Sequence, residues 1–188
     1  MSIINTEKGF LNIPSILKKA YIKGIRLGLD DRTLLRSLLV LRRYLNKVSW
    51  VKDTEALTCA AFYVADRFAI NYPSSFKIED FEKLFAIKPS SVKWYVEKII
   101  KKLNIITLRD YKGHSYYLDP ESLEYKLIES LSKKILEENK IKELVGIMSI
   151  DIDALADHIA DYVTSTRIIS SIFKYSLRDI IYKILCGK

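Results

Sequence analysis

The chain has 188 residues, a formal net charge of +8 and a hydrophobic fraction of 49%, which excludes a disordered chain and allows either one substantial core or two small ones. No apolar run reaches membrane-spanning length and nothing resembles a signal peptide, so a cytoplasmic protein is expected. The two cysteines, Cys59 and Cys186, form no CxxC pair, which excludes a zinc ribbon.

Positive charge is unevenly placed. Residues 1–52 carry eleven Lys/Arg against three Asp/Glu, and residues 76–118 carry nine against five, whereas residues 53–75 and 119–188 are each slightly acidic. That asymmetry favours a polyanionic partner for the first two-thirds of the chain. Glutamine is absent, asparagine is scarce, and Lys, Ile and Tyr are abundant. The composition resembles that of thermophile proteins, and an archaeal source, or a virus or plasmid of such a host, is expected.

In chain order, Met1 to Asn12 reads as a loosely docked arm. Pro14 opens a short helix with Ile16, Leu17, Ala20, Ile22 and Ile25 as its apolar set, in which Gly24 and Gly28 mark close packing or an end. Asp30 or Asp31 caps a second helix over about residues 31–47, whose arginines (Arg32, Arg36, Arg42, Arg43) do not share one face. Asp53 caps a third helix from Thr54 to about Ile70, with a stripe of small residues suited to close packing. A turn cluster at 71–75 follows, and Phe76 to Ile78 reads as a short strand.

The centre of the chain, Phe76 to Leu118, reads as helix, tight turn, helix and two-stranded hairpin. The first helix has Phe81, Leu84 and Phe85 at helical spacing, and Ile87 closes the turn. Pro89 starts the second, Ser90 and Ser91 cap it, and Val92, Val96, Ile99 and Leu103 line one face. Asn104 then takes a left-handed position. Thr107, Tyr116 and Tyr117 favour strand, and Gly113 permits a hairpin tip at Tyr111-Lys112-Gly113.

The segments IEDFEKLFAIKPSSV, KKLNII and RDYKGHSYYL together resemble the winged helix-turn-helix family, with Ala86 at the turn position where that family often has Gly. The resemblance covers about a quarter of the chain. It implies that the second helix enters the DNA major groove and that the hairpin wing touches the backbone or minor groove. On the outward face of that helix stand Ser91, Lys93, Trp94, Glu97, Lys98 and Lys101; Ser90 stands at its start, and Arg109, Lys112 and His114 lie near the wing tip. The candidate DNA-binding residues are therefore Ser90, Ser91, Lys93, Trp94, Lys98, Lys101, Arg109, Lys112 and His114. Trp94 either meets sugar or thymine methyl groups or packs against a neighbouring helix. No Arg, Asn or Gln lies on this face, so bidentate base contacts are absent and backbone-dominated binding is expected.

After the wing, Asp119-Pro120-Glu121 reads as a helix start, with a helix running to about Asn139, a short one over 140–148, and a third from near Asp151. Thr164-Ser165-Thr166 breaks the pattern before a last helix whose apolar surface, Ile168 to Leu185, is broad enough to need cover from this chain or a second copy; a two-fold dimer is the favoured reading. Asp153, Asp157 and Asp161 share a helical face beside His158, which reads as a solvated acidic face in preference to a metal site. No nucleophile–base arrangement or phosphate-binding glycine loop occurs, so neither catalysis nor a cofactor or metal is expected.

The expected architecture is mainly α, with a central winged helix-turn-helix over 53–118, basic N-terminal helices over 1–52 and a C-terminal helical region over 119–188. The expected function is double-stranded DNA binding, in transcription regulation or in replication or plasmid maintenance. The alternative is a winged-helix interaction scaffold inside a DNA- or RNA-handling assembly. A second fold also has some support: helices over 31–103, with AAFYVADRF and FEKLFAIKPSSVKWYVEKIIKKL, loosely resemble the cyclin-like bundle of archaeal general transcription factors. The hairpin after Asn104 argues against it, because that fold is all-helical.

Overall fold

The computed structural model describes residues 11–74, 76–144, 146 and 149–187; most of the expected N-terminal arm lies outside them. The protein is mainly helical with one small antiparallel hairpin. The chain divides into two compact units. Unit 1 takes the chain up to residue 66 together with 75–103, and unit 2 takes 67–74 together with 104 onward.

Unit 1 holds α1 (Ile13–Leu27), α2 (Asp31–Leu45), α3 (Thr54–Asp66), α4 (Ile78–Phe85) and α5 (Pro89–Leu103). Three of its helix starts follow from local chemistry. Asn12 accepts the Ser15 N–H at 3.0 Å, Asp30 accepts those of Arg32 and Thr33, and Asp53 accepts those of Glu55 and Ala56. Hydrogen bonds from Thr33 hold the Asp30 carboxyl below the usual carboxylate range. The two glycines of α1 divide the roles expected of them. Gly28 ends the helix at φ +75°, while a Cβ on Gly24 would meet Leu34 Cδ1 in the packed α1–α2 contact.

α3 is the centre of unit 1. It packs against α1, α2 and α5, and its residues Ala56 to Phe62 and Val64 to Asp66 are all buried. The small side chains Ala56, Ala60, Ala61 and Ala65 let neighbouring helices approach closely. Cys59 is buried there as an apolar thiol, and burial pushes its pKa up to about 12. The helix ends at Asp66, four residues before the expected Ile70. The buried Asp66 carboxylate accepts the Phe76 N–H at 3.0 Å, and Phe76 and Lys77 form no strand: Ile78 already opens α4.

Unit 2 begins with a 3₁₀ turn, Ala69–Asn71, and continues through the hairpin β1 (Ile106–Arg109) and β2 (Ser115–Leu118) to α6 (Leu123–Leu144), α7 (Ile152–Ser165), a second 3₁₀ turn (Ser171–Phe173) and α8 (Lys174–Leu185). In the hairpin, Ile106 pairs with Leu118 and Arg109 with Ser115. The free edge of β2 is met by Phe68, which bridges Tyr117, and the Tyr117 N–H donates to the Arg67 carbonyl at 2.8 Å. Residues 67–68, and not the strand expected at 76–78, thus meet the hairpin.

Leu108, Tyr116 and Leu118 enter a core shared with Ile128 of α6, Ile159 and Val163 of α7, and Leu177 and Ile181 of α8. Tyr72, Tyr116 and Phe173 meet in tilted and edge-on contacts with ring centroids 5.1–5.4 Å apart. α6 starts later than expected. Asp119 to Ser122 form a turn, and the Ser122 hydroxyl caps the helix by accepting the Tyr125 N–H at 3.2 Å. The short helix expected over 140–148 is absorbed into α6 as far as Leu144, with residues 145, 147 and 148 outside the described residues.

The expected division at 52 and 118 is therefore not where the contacts divide the chain. α1 and α2 share a core with the helix-turn-helix, and the hairpin shares one with the C-terminal helices. Among the described residues no helix is long and apolar enough to cross a membrane.

Candidate nucleic-acid interface

The helix-turn-helix of unit 1 is built by α4, a short turn and α5. Asp80 fixes the start of α4 by accepting the Lys77 N–H at 2.8 Å. Ile78, Phe81 and Ile87 are buried, whereas Leu84, expected inside, is exposed and Phe85 is half-buried under the Lys23 ammonium, 4.6 Å from the ring centroid. Ala86 ends α4 in the left-handed region at φ +54°. An alanine there carries a Cβ clash that glycine lacks. Ala86→Gly should therefore stabilise the protein by about 0.5–1 kcal/mol, after allowing for the greater freedom of glycine in the unfolded chain, as read from the urea midpoint. Asn104 takes the expected left-handed position after α5 at the same φ.

Val92, Val96, Ile99 and Leu103 of α5 face inward, as the spacing predicts. Tyr95 joins them, and its hydroxyl accepts the Asp53 N–H at 3.0 Å, tying the start of α3 to α5. The sequence did not single out this role, since Tyr95 stands one position from the apolar register. The outward face carries Lys93, Trp94, Glu97, Lys98 and Lys101, all exposed. Trp94 is 50% exposed, so the reading that buries it is set aside; its indole meets Tyr95 edge-on, and the Lys98 ammonium lies 5.1 Å from its ring centroid.

Ser90 and Ser91 lie within the first turn of α5 and not at its cap, because Pro89 already starts the helix and the Lys88 carbonyl accepts the N–H groups of Ser91 and Val92. Both serines line a groove of about 350 Å³ with Lys52, Asp53, Trp94 and Tyr95. Lys52 belongs to this site by tertiary placement alone. The exposed Trp50 lies two residues before it in the α2–α3 loop.

The wing candidates stand in unit 2. Lys112 is exposed beside the Tyr111 ring, and the Arg109 guanidinium donates to the Gly113 carbonyl at 3.4 Å. His114 braces the hairpin turn. Its Nδ1 lies 3.1 Å from the Asp110 carboxylate, which also accepts the N–H groups of Lys112 and His114. Burial alone would raise the Asp110 pKa, but these bonds outweigh it and hold the carboxyl below its usual value. The strands are anchored from below, since the Arg109 N–H donates to the Ser176 hydroxyl of α8 at 3.1 Å. The tip is thus exposed, while the strands that carry it are part of a core.

The acidic row of α7 is answered by cations of α8. Arg178 pairs with Asp153 at 2.7 Å and with Asp157 at 3.0 Å, and Lys174 pairs with Asp161. The apolar surface from Ile168 to Leu185 is likewise covered within the chain. Ile169, Phe173, Leu177, Ile180, Ile181 and Leu185 are buried, so the observation that favoured a dimer through this helix is accounted for without a second copy. Among the exposed large apolar residues of the region, Leu123, Leu127, Ile141 and Leu144 lie on α6, with Tyr162 on α7 and Tyr175 on α8.

The formal charge follows the division into units. Unit 1 holds eighteen Lys/Arg against ten Asp/Glu, and unit 2 holds thirteen of each, so the whole net charge of +8 resides in unit 1. No protein-family model and no curated protein matches the chain.

Proposed function

We propose that this protein binds double-stranded DNA through unit 1, with α5 as the element that meets the duplex and phosphate contacts as its main source of affinity. The observation that carries this reading is the placement of the entire net positive charge in the unit that presents an exposed lysine face on the second helix of a helix-turn-helix. Lys93, Lys98 and Lys101 suit phosphate oxygens, and Trp94 supplies an apolar plane between them. The absence of Arg, Asn and Gln on that face supports weak sequence preference.

Four helices, α2 to α5, stand in the 31–103 stretch of the cyclin-like reading, and the hairpin lies in the other unit, which supports that reading beside the winged one. The hairpin no longer counts against it. The exposed lysine face of α5 is the same in both readings. Transcription regulation and replication or plasmid maintenance both accommodate this activity.

The test is a salt series with random-sequence duplex DNA. A log–log slope of about −3 or steeper is expected, one unit for each lysine of the α5 face that replaces a counterion. A slope near zero, or no binding at low salt, would remove the proposal.

A protein-interaction subunit is the second reading, and one observation favours it. Leu35 and Leu39 stand one turn apart on α2 and are 60% and 49% exposed, which is surface a DNA-binding face does not need.

A further inference from the structure

Unit 2 contains a cavity that the nucleic-acid reading does not use. It has a volume of about 400 Å³, within the range of small-molecule sites, and lies between the 3₁₀ turn at 69–71 and the end of α7. Its lining divides by chemistry. Arg167, Ser170, Ser171 and Tyr72 bring hydrogen-bond donors, and Ala69, Ile70 and Ile168 form apolar wall. The Arg167 guanidinium makes no ion pair among the described residues, and no carboxylate lines the cavity.

Thr164 and Ser165 complete the lining in a different state. The Thr164 hydroxyl donates to the Ala160 carbonyl at 2.9 Å, and the Ser165 hydroxyl donates to the Tyr162 carbonyl at 2.7 Å. With their protons spent on the helix, these two oxygens offer only lone pairs to the cavity. One groove thus brings together an exposed guanidinium without an ion pair among the described residues, the hydroxyls of Ser170 and Ser171, and hydroxyl acceptors without protons to give. A guanidinium matches a phosphate by paired donors, and lone-pair acceptors match the hydroxyls of a sugar or polyol.

We infer that this cavity binds a small phosphate ester of a hydroxylated body, such as a sugar phosphate, with the phosphate on Arg167, Ser170 and Ser171 and the hydroxyls on Thr164 and Ser165. The site gives unit 2 a ligand of its own and is independent of DNA binding by unit 1.

The backbone supplies a clean variant. Arg167 sits at φ +59°, a conformation that glycine adopts without strain, so Arg167→Gly removes the cation while favouring the fold. The full chain would be melted with ribose phosphate, inorganic phosphate or free ribose at matched ionic strength. The expected result is a concentration-dependent rise in Tm with ribose phosphate, a smaller one with inorganic phosphate and none with ribose. Arg167→Gly should melt no lower than the parent without ligand and lose the rise. Arg167→Lys, which keeps the charge but not the paired donors, should weaken binding about tenfold and secures the test if the glycine variant fails to fold. No rise in the parent, an equal rise in Arg167→Gly, or undiminished binding by Arg167→Lys would each overturn the assignment.

Discussion

Phe173→Ala is expected to destabilise unit 2 by about 3–5 kcal/mol, a large share of the stability of a domain of this size. Phe173 is fully buried and closes the second 3₁₀ turn, directly before α8. Its ring meets Tyr72 edge-on at 5.4 Å and Tyr116 at 5.1 Å, so truncation removes two aromatic contacts as well as buried area. The cavity left behind has no easy filler. Tyr116 is held by the β1–β2 ladder, and Ser74 is tied to its hydroxyl at 3.3 Å. Urea unfolding followed by near-ultraviolet circular dichroism should show an earlier transition and a loss of tyrosine signal. Phe173→Leu, which keeps most of the volume, should cost about 1 kcal/mol. A loss below about 1 kcal/mol for the alanine variant would mean that the site collapses around the gap and that the aromatic cluster is not a central support of unit 2.

The second large effect concerns binding. Changing Lys93, Lys98 and Lys101 together to alanine should weaken duplex DNA binding about 100-fold near physiological salt and flatten the log–log salt slope by about 3 units, close to one per lost phosphate contact. The fold should survive, because all three side chains are exposed and alanine favours helix. Far-ultraviolet circular dichroism and an unchanged melt would establish that. A folded triple variant with the parent's affinity and slope would take the DNA role from α5 and favour the interaction-subunit reading, for which Leu35 and Leu39 are then the residues to change.

Much of the local structure was legible from the sequence because its causes span only a few residues. Asp53 caps α3 as expected and Asp30, one of the two aspartates expected there, caps α2, each by accepting N–H groups two or three positions on; α7 begins beside Asp151, where a helix was expected. The inward face of α5 followed from the spacing of Val92, Val96, Ile99 and Leu103, and its outward lysines followed with it. Asn104 and Gly113 took the positive φ values that a helix end and a hairpin tip require.

Only the tertiary structure decided which core each element joins. The hairpin follows α5 directly, yet its Leu108 and Tyr116 are buried with α7 and α8, and Arg109 meets Ser176 across 67 positions of sequence. The aspartate row of α7 looked solvated until Arg178, 25 positions beyond Asp153, supplied its partner. The wide apolar surface ending the chain suggested a second copy, but α6, α7 and the hairpin cover it. Periodicity records which side of a helix avoids water. It carries no information on which distant apolar surface will meet that side, since the hydrophobic effect is non-directional and any matching surface satisfies it. The choice among partners belongs to packing and chain connectivity, and those exist only in the folded protein.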